Sequence, residues 1–271
     1  MTTQREKAET FRALHQREGA FLIPNPWDAG SARLLEGLGF EALATTSSGF
    51  AQALGRLDGS VTLAEKLEHC RALTRVTTVP VSADLENGYA DDPETAAQAI
   101  VRAAEAGVVG GSIEDYSGAE IYPFEFAVER VRAAVEAARS LDFPFTLTAR
   151  AENLIRGRND LDDTLRRLAA YAEAGADVLY APGLATLQDV EKAARVISGR
   201  PLNVLAPCLP GASVRELAQA GAKRISIGGA LADAAIGAVL RAAREMQESG
   251  SFGWLAETAS SAQVEALLGR A

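Results

Sequence analysis

The feature that most constrains this chain is a phrase that recurs three times: AEAGVVGGSIED at 104–115, AEAGADVLYAPG at 172–183 and AQAGAKRISIGG at 218–229. Each begins as the end of a helix, passes through Ala-Gly and continues as an apolar run. Gly107, Gly175 and Gly221 stand where a helix ends before a tight connection, a place that favours a residue tolerant of the left-handed conformation. A repeated helix-to-strand unit implies a parallel sheet. Followed along the chain, the rhythm gives eight strands, near 20–24, 41–45, 79–83, 109–113, 145–149, 178–181, 202–206 and 224–227. The fold class expected is α/β, a closed (β/α)8 TIM barrel, for which about 250 residues suffice. An open doubly wound sheet is the second choice, weakened because no Gly-x-Gly-x-x-Gly follows the first strand. Residues 1–271 then form one barrel domain, with 248–271 as a C-terminal helical extension ending in a short helix at Gln263–Leu268. Phe252 and Trp254 in that extension fit docking on another subunit or on the chain's own barrel.

A formal net charge of -9 argues against nucleic acid or an anionic membrane surface as partner. It leaves room for an anionic small substrate, which feels local charge. Two cysteines, Cys70 and Cys208, make a disulfide framework an unsuitable reading. The first 19 residues are charged and amphipathic rather than leader-like, and no apolar run approaches the roughly 20 residues of a membrane span. The expectation is a soluble cytoplasmic protein.

In such a barrel the active site lies at the C-terminal ends of the strands. Those ends carry Asn25, Trp27 and Asp28; Ser48 and Gly49; Asp84 and Glu86; Glu114 and Asp115; Arg150 and Glu152; Tyr180; Asn203 and Cys208; Gly228 and Gly229. The stretch VPVSADLENGY at 79–89 is the sharpest: a buried strand that delivers two carboxylates into a turn. Strand alternation points positions 84 and 86 the same way. Two such charges repel by about 4 kcal/mol at 4 Å and an effective dielectric of 20. They can be solvated, with Asp84 capping a turn, or be offset by a divalent metal. Carboxylates converging from neighbouring strands favour a hard, oxygen-liganded cation such as Mg2+, with Arg150 gripping a substrate carboxylate. His15 and His69 fall within helices and read as structural, which disfavours zinc and histidine triads. Cys208 reads as a small apolar residue. A phosphate site at Gly228-Gly229 has little to reinforce it.

Asp84-x-Glu86-x-Gly88-Tyr89, Ser112-Ile-Glu114-Asp115 and Thr148-Ala-Arg150-Ala-Glu152, with the upstream Asn25-Pro-Trp-Asp-Ala-Gly-Ser31, Ser48-Gly49 and Leu54-Gly55-Arg-Leu-Asp58, resemble the isocitrate lyase / phosphoenolpyruvate mutase superfamily. The likeness runs in order over most of residues 20–240. It implies a Mg2+ ion, with Mn2+ as a substitute, held partly through water by Asp84, Glu86 and Glu114 with Asp58 nearby. It implies a substrate carboxylate held at Ser48 and Gly49 and by Arg150, with Trp27 and Asn203 also at the substrate. It implies a homo-oligomer, a dimer or dimer of dimers, in which the eighth helix is swapped between partners. Where isocitrate and methylisocitrate lyases carry a Lys-Lys/Arg-Cys-Gly-His loop, this chain reads Asp115-Tyr-Ser-Gly-Ala-Glu-Ile-Tyr-Pro123. The Lys- and Asn-bearing loop of phosphoenolpyruvate mutases is absent as well, and Glu86 replaces the usual Asp.

The expected function is a Mg2+-dependent lyase acting on a C–C bond of a small 2-oxo or 2-hydroxy carboxylate, such as a decarboxylase of oxaloacetate working through an enolate. Arg150, Glu152, Asp58 and Tyr116 are the catalytic candidates. The alternatives are C–P chemistry, as phosphonopyruvate hydrolase or mutase, and a non-catalytic protein that binds a 2-oxo dicarboxylate.

Overall fold

The computed structural model describes residues 2–269; residue 1 and the last two residues of the expected extension, 270 and 271, lie outside them. In chain order the elements are α1 (Gln4–Gln16), β1 (Phe21–Ile23), α2 (Ala29–Gly37), β2 (Leu43–Ala44), α3 (Ser47–Ala53), α4 (Leu63–Val76) and β3 (Val81–Asp84). Then come α5 (Pro93–Glu105), β4 (Gly110–Glu114), α6 (Phe124–Arg139), β5 (Thr146–Arg150), α7 (Leu161–Glu173) and β6 (Val178–Tyr180). The chain finishes with α8 (Leu187–Val196), β7 (Leu202–Leu205), α9 (Val214–Gln219), β8 (Ala222–Ser226), α10 (Ala230–Ser249) and α11 (Ser261–Leu268).

All eight strands lie in one parallel sheet of order β1-β8-β7-β6-β5-β4-β3-β2. The seam between β1 and β2 is bridged by two bonds: Ala44 N–H donates to the Pro24 carbonyl at 3.1 Å, and Asn25 Nδ2 to the Thr45 carbonyl at 3.1 Å. The sheet is thus a nearly closed barrel. The Ala-Gly phrases act as their sequence implies: Gly107, Gly175 and Gly221 have φ of +93°, +104° and +105°. At Gly221 packing adds a second demand, since a Cβ would lie 2.5 Å from that of Ala194.

Most of the apolar core lies between the strands and the outer helices, in two large clusters. A smaller one, with Phe11, Leu14, Phe21, Ile23 and Val109, plugs the barrel's N-terminal end with α1. The interior above that plug is polar: Ser82, Ser112, Thr148, Asn203 and Ser226 are all buried. That arrangement leaves the C-terminal mouth as the place where polar side chains face one another.

Two regions depart from the sequence reading. Thr46-Ser-Ser-Gly49, read as the stop of a strand, starts α3, with Thr46 Oγ1 accepting the Gly49 N–H at 3.3 Å. Small polar residues satisfy both a turn and a helix start, and the cap decides. At the other end, α11 rests on α2 of the same chain, where a Cβ on Gly37 would lie 2.5 Å from the Leu267 carbonyl oxygen. By contrast α10 buries only Ala232 and leaves Ile236, Val239, Leu240 and Met246 exposed. No helix among the described residues is long and apolar enough to cross a membrane.

Candidate active site

Arg150, the last residue of β5, is the centre of the mouth. Its Nη1 donates to Asp84 Oδ1 at 2.9 Å; Nε and Nη2 donate to Glu152 Oε1 at 3.0 and 2.8 Å; Nη2 lies 3.3 Å from Glu114 Oε2. Its guanidinium also stands 5.1 Å from the centre of the Tyr180 ring. Barrel register explains the meeting, because Glu114 pairs with Arg150, Arg150 with Tyr180 and Asp84 with Ser112. Burial works against the charge of Arg150, but Glu152, Glu114 and Asp84 outweigh it and hold the guanidinium firmly protonated. Sequence reasoning gave Arg150 a substrate carboxylate as partner. The structure gives it three of the protein's own.

Asp84 is held below the usual carboxylate range: burial pushes it up, and Arg150 with Lys66 pulls it further down. Lys66 was missed in the sequence. It is fully buried behind β3 with no hydrogen-bond partner on Nζ among the described residues, and lies 5.8 Å from the Phe50 ring. Glu114 is pushed well above its ordinary value, first by burial and then by Glu152 and Asp84. Glu86 is raised too, by burial and by Asp84.

Asp84 and Glu86 do not share one face as strand alternation predicted. The strand stops at Asp84, and Glu86 takes a left-handed φ of +49°, so the period-two rule no longer applies there. Asp84 lines a cavity of about 250 Å3, while Glu86 and Glu114 line a neighbouring one of about 510 Å3. Asp58, Ser47, Arg150 and Arg156 line both. The Glu86 carboxylate accepts the Tyr89 hydroxyl at 3.0 Å.

Arg156 is a second residue that the sequence did not single out. Its Nε donates to Glu152 Oε2 at 3.1 Å, its Nη2 lies 3.4 Å from Glu114 Oε1, and it stacks 4.1 Å from the centre of the Tyr116 ring. Glu152, fully buried, is therefore clamped by two arginines. The spacing Glu152–Arg156 carried this signal, but only the turn after β5 turns it into an ion pair. Tyr116 donates its hydroxyl to the Gly118 carbonyl at 2.9 Å.

Other expected residues fall in different places. The Gly49 N–H is taken by Thr46, and Ser47 donates its N–H to Asp84 Oδ2 at 3.3 Å. What Gly49 supplies is space: a Cβ would stand 2.7 Å from Thr46 Cγ2 and 3.2 Å from Trp27 Cβ. Ser48 lines the first cavity, whereas Trp27 stands behind Gly49 and lines neither. Asn203 is buried at the cavity floor with both ends of its amide engaged, by Ser226 at 2.9 Å and Arg224 at 2.7 Å. Its place on β7 hides it beneath the mouth. Asn25 ties β1 to β8, its Oδ1 accepting the N–H groups of Ile227 and Gly228 at 3.0 Å each. Asp115 leaves the mouth altogether: its carboxylate accepts Arg167 at 2.9 Å, Tyr171 at 2.6 Å and the Glu152 N–H at 2.8 Å. Both histidines are buried away from the cavities, each pushed down to about 3 by burial first, as their structural reading requires. Cys70 is buried, and Cys208 packs half-buried against the largest apolar cluster.

Among the described residues no three Asp, Glu, His or Cys side chains converge closely enough to hold a metal ion by themselves. The donor chemistry still fits a hydrated hard cation. Every ligand candidate, Asp84, Glu86, Glu114 and Asp58, offers carboxylate oxygen, and burial already strains two of them against their charge. Mg2+ keeps several waters and needs few direct protein ligands.

The family model described as phosphoenolpyruvate phosphomutase matches residues 11–247. A solved structure from Burkholderia cenocepacia J2315, whose assignment as a lyase/mutase is itself provisional, is 53% identical, with a TM-score of 0.94 over 97% of this chain and 95% of that one. An oxaloacetate decarboxylase from Marinomonas sp. (strain MWYL1) is 29% identical over 84% of this chain and 80% of that protein. The 2-methylisocitrate lyase of Escherichia coli (strain K12) is 31% identical over 66% of this chain and 63% of that protein.

Proposed function

This chain belongs to the phosphoenolpyruvate phosphomutase family, and on that premise we propose that it is a Mg2+-dependent lyase that cleaves a C–C bond of a small 2-oxo or 2-hydroxy carboxylate, with decarboxylation of oxaloacetate as its type reaction. The family's relatives named above are lyases, so an enzyme is the starting point. One observation carries the choice of chemistry: the two mouth cavities are lined by Asp, Glu, Ser, Tyr and Arg, with no His, Cys or Lys among the described residues that line them. A site so composed offers anchoring and charge stabilisation rather than a neutral-pH base. Loss of CO2 from a 2-oxo acid needs an electron sink more than a base, and the oxaloacetate decarboxylase likeness supports that reading.

Asp84, Glu86 and Glu114 would hold the Mg2+, with Asp58 close by. When bound, the ion supplies Lewis-acid polarisation of the substrate's oxygens. Arg150 faces the same oxygens and stabilises the negative charge that develops on the enolate. Glu152 fixes the plane of Arg150 through two donors on one oxygen and so acts on its position. Ser48 contributes a hydroxyl to the carboxylate end, and Gly49 lets α3 pack closely on Trp27 and Ala232 behind it. Of the proton-transfer candidates, Glu152 is locked between two arginines and the Tyr116 hydroxyl is committed to Gly118. Asp58, exposed on its loop and lining both cavities, is our candidate to relay a proton from water to the enolate carbon through its carboxylate oxygen. The exposed apolar face of α10 supports association with a second copy of the chain.

The test is pyruvate formation from a panel of 2-oxo and 2-hydroxy diacids, with Mg2+ and then with EDTA. EDTA-sensitive pyruvate from one acid supports the lyase and names its substrate. Phosphate released from phosphonopyruvate instead would move the protein to C–P chemistry. Silence across the panel, with an acid still raising the melting temperature, would mean binding without turnover.

A further inference from the structure

Beneath the carboxylate ring lies a buried cation that has no anion beside it among the described residues. Arg224, on β8, is 6% exposed and lines the floor of the smaller mouth cavity. Its Nε donates to Asn203 Oδ1 at 2.7 Å and its Nη2 to Thr148 Oγ1 at 2.9 Å, both neutral groups. Its Nη1 has no partner among the described residues. The charged or ionisable groups that act on it are the Tyr180 phenol and Arg150, and no carboxylate is among them; burial and Arg150 bring it down to about 10. Below it stands His15, buried and neutral, whose own depression owes part to Arg224. The carboxylates above, Asp84, Glu114 and Glu152, are engaged by Arg150 and Arg156.

A guanidinium taken out of water without a counter-charge is strongly unfavourable, and buried charges are as a rule paired. Hydroxyls that a small anion can accept from line the same cavity, those of Ser82 and Ser226; the Ser112 hydroxyl there donates to Asp84 Oδ1 at 3.4 Å, and Asp84 and Glu152 line the cavity's upper part beside Arg150. Ser226 is fixed there through Asn203, which also holds Arg224.

We propose that the floor of this cavity is an anion subsite, in which Arg224 holds one compact monovalent anion: a free halide ion or the carboxylate end of a bound acid. The chemistry is shared, a single negative charge met by a guanidinium and hydroxyl donors. Because the subsite is tested by binding, it stands or falls separately from the lyase reading.

The experiment titrates the full chain with sodium bromide against sodium gluconate at constant ionic strength and follows the melting temperature. The wild type is expected to gain about 3 °C for each tenfold rise in bromide above its Kd. Arg224→Met is expected to lose that dependence while remaining folded without bromide, since it removes an uncompensated charge. Thr148→Val keeps the guanidinium and is expected to weaken the bromide response. Crystals soaked in bromide need no variant: an anomalous peak beside the Arg224 guanidinium supports the subsite. Adding sodium malonate separates the sources. Additive stabilisation by bromide and malonate means a free ion at the floor, whereas mutual exclusion means an acid's carboxylate takes that place. A flat wild-type response together with no anomalous peak at Arg224 overturns the proposal.

Discussion

Glu114 turns into the barrel and Asp115 out of it, and these sequence neighbours belong to networks with opposite balances. Outside, between the strands and α6–α7, Asp115 and Asp163 share Arg167, and every participant has partners: Tyr171 and the Glu152 N–H on Asp115, Asn153 and Arg166 on Asp163, and the Tyr122 carbonyl on the far side of Arg167. Against the burial that would raise it, hydrogen bonds from Arg167, Arg166 and Asn153 hold the Asp163 carboxyl down at about 2. Inside, three carboxylates crowd Arg150 with partial help from Arg156, and Glu114 is pushed up. The contrast separates two uses of buried charge. A network whose charges are all paired fixes geometry; an unevenly charged one is free to accept a cation and a substrate. The Glu152 N–H bond to Asp115 joins them, so the outer network supports the turn that aims the inner one.

The most damaging way to break that division is Asp115→Ala. It leaves Arg167 short of a carboxylate and strands the Tyr171 hydroxyl and the Glu152 N–H. The expected loss is about 3–5 kcal/mol of unfolding free energy in urea titration. A loss below about 1 kcal/mol would mean that the outer network is dispensable. The inner ring should answer in reverse. Glu114→Gln relieves crowding, so its stability is expected within about 1 kcal/mol of wild type, while Mg2+-dependent turnover falls about 100-fold. Unchanged turnover would remove Glu114 from the site.

A further contrast is read in pH. Asp163 is depressed from 3.8 to about 2 in the folded chain, so it contributes stability above about pH 4 that disappears as pH falls toward 2. Asp163→Asn should flatten the melting temperature in that window, at the cost of a lower plateau. His15 and His69 act at higher pH. Each is depressed from 6.5 to about 3, so the unfolded chain takes up their protons first and stability declines as pH falls from 6.5 toward 3. Replacing both with glutamine should remove slope between pH 6.5 and 4, measured by calorimetry, without altering the Asp163 step below it.

The order of strands and helices was legible because its signals are local. Gly107, Gly175 and Gly221 mark helix ends through a backbone requirement of single residues, and apolar runs mark strands. The strand-end list contained Asp84, Glu114 and Arg150 for the same reason: once a barrel is assumed, its rim can be read by position. Glu86 misled because a left-handed φ at a residue other than glycine leaves no trace in residue type. The start of α3 hid among small polar residues that suit a turn equally well.

Pairing was another matter. Asp84 meets Arg150 across 66 residues and Thr148 meets Arg224 across 76, and neither contact leaves any periodicity in the chain. The amino-acid sequence by itself determined the alternation of elements, the parallel sheet and the end of the barrel where acidic residues collect. Only the tertiary structure decided which carboxylate each arginine holds, that Asp115 belongs to the scaffold, and that Arg224 stands buried without a counter-charge among the described residues. Periodicity and caps depend on neighbours a few residues away, whereas charge balance depends on distances that exist only after the barrel has closed.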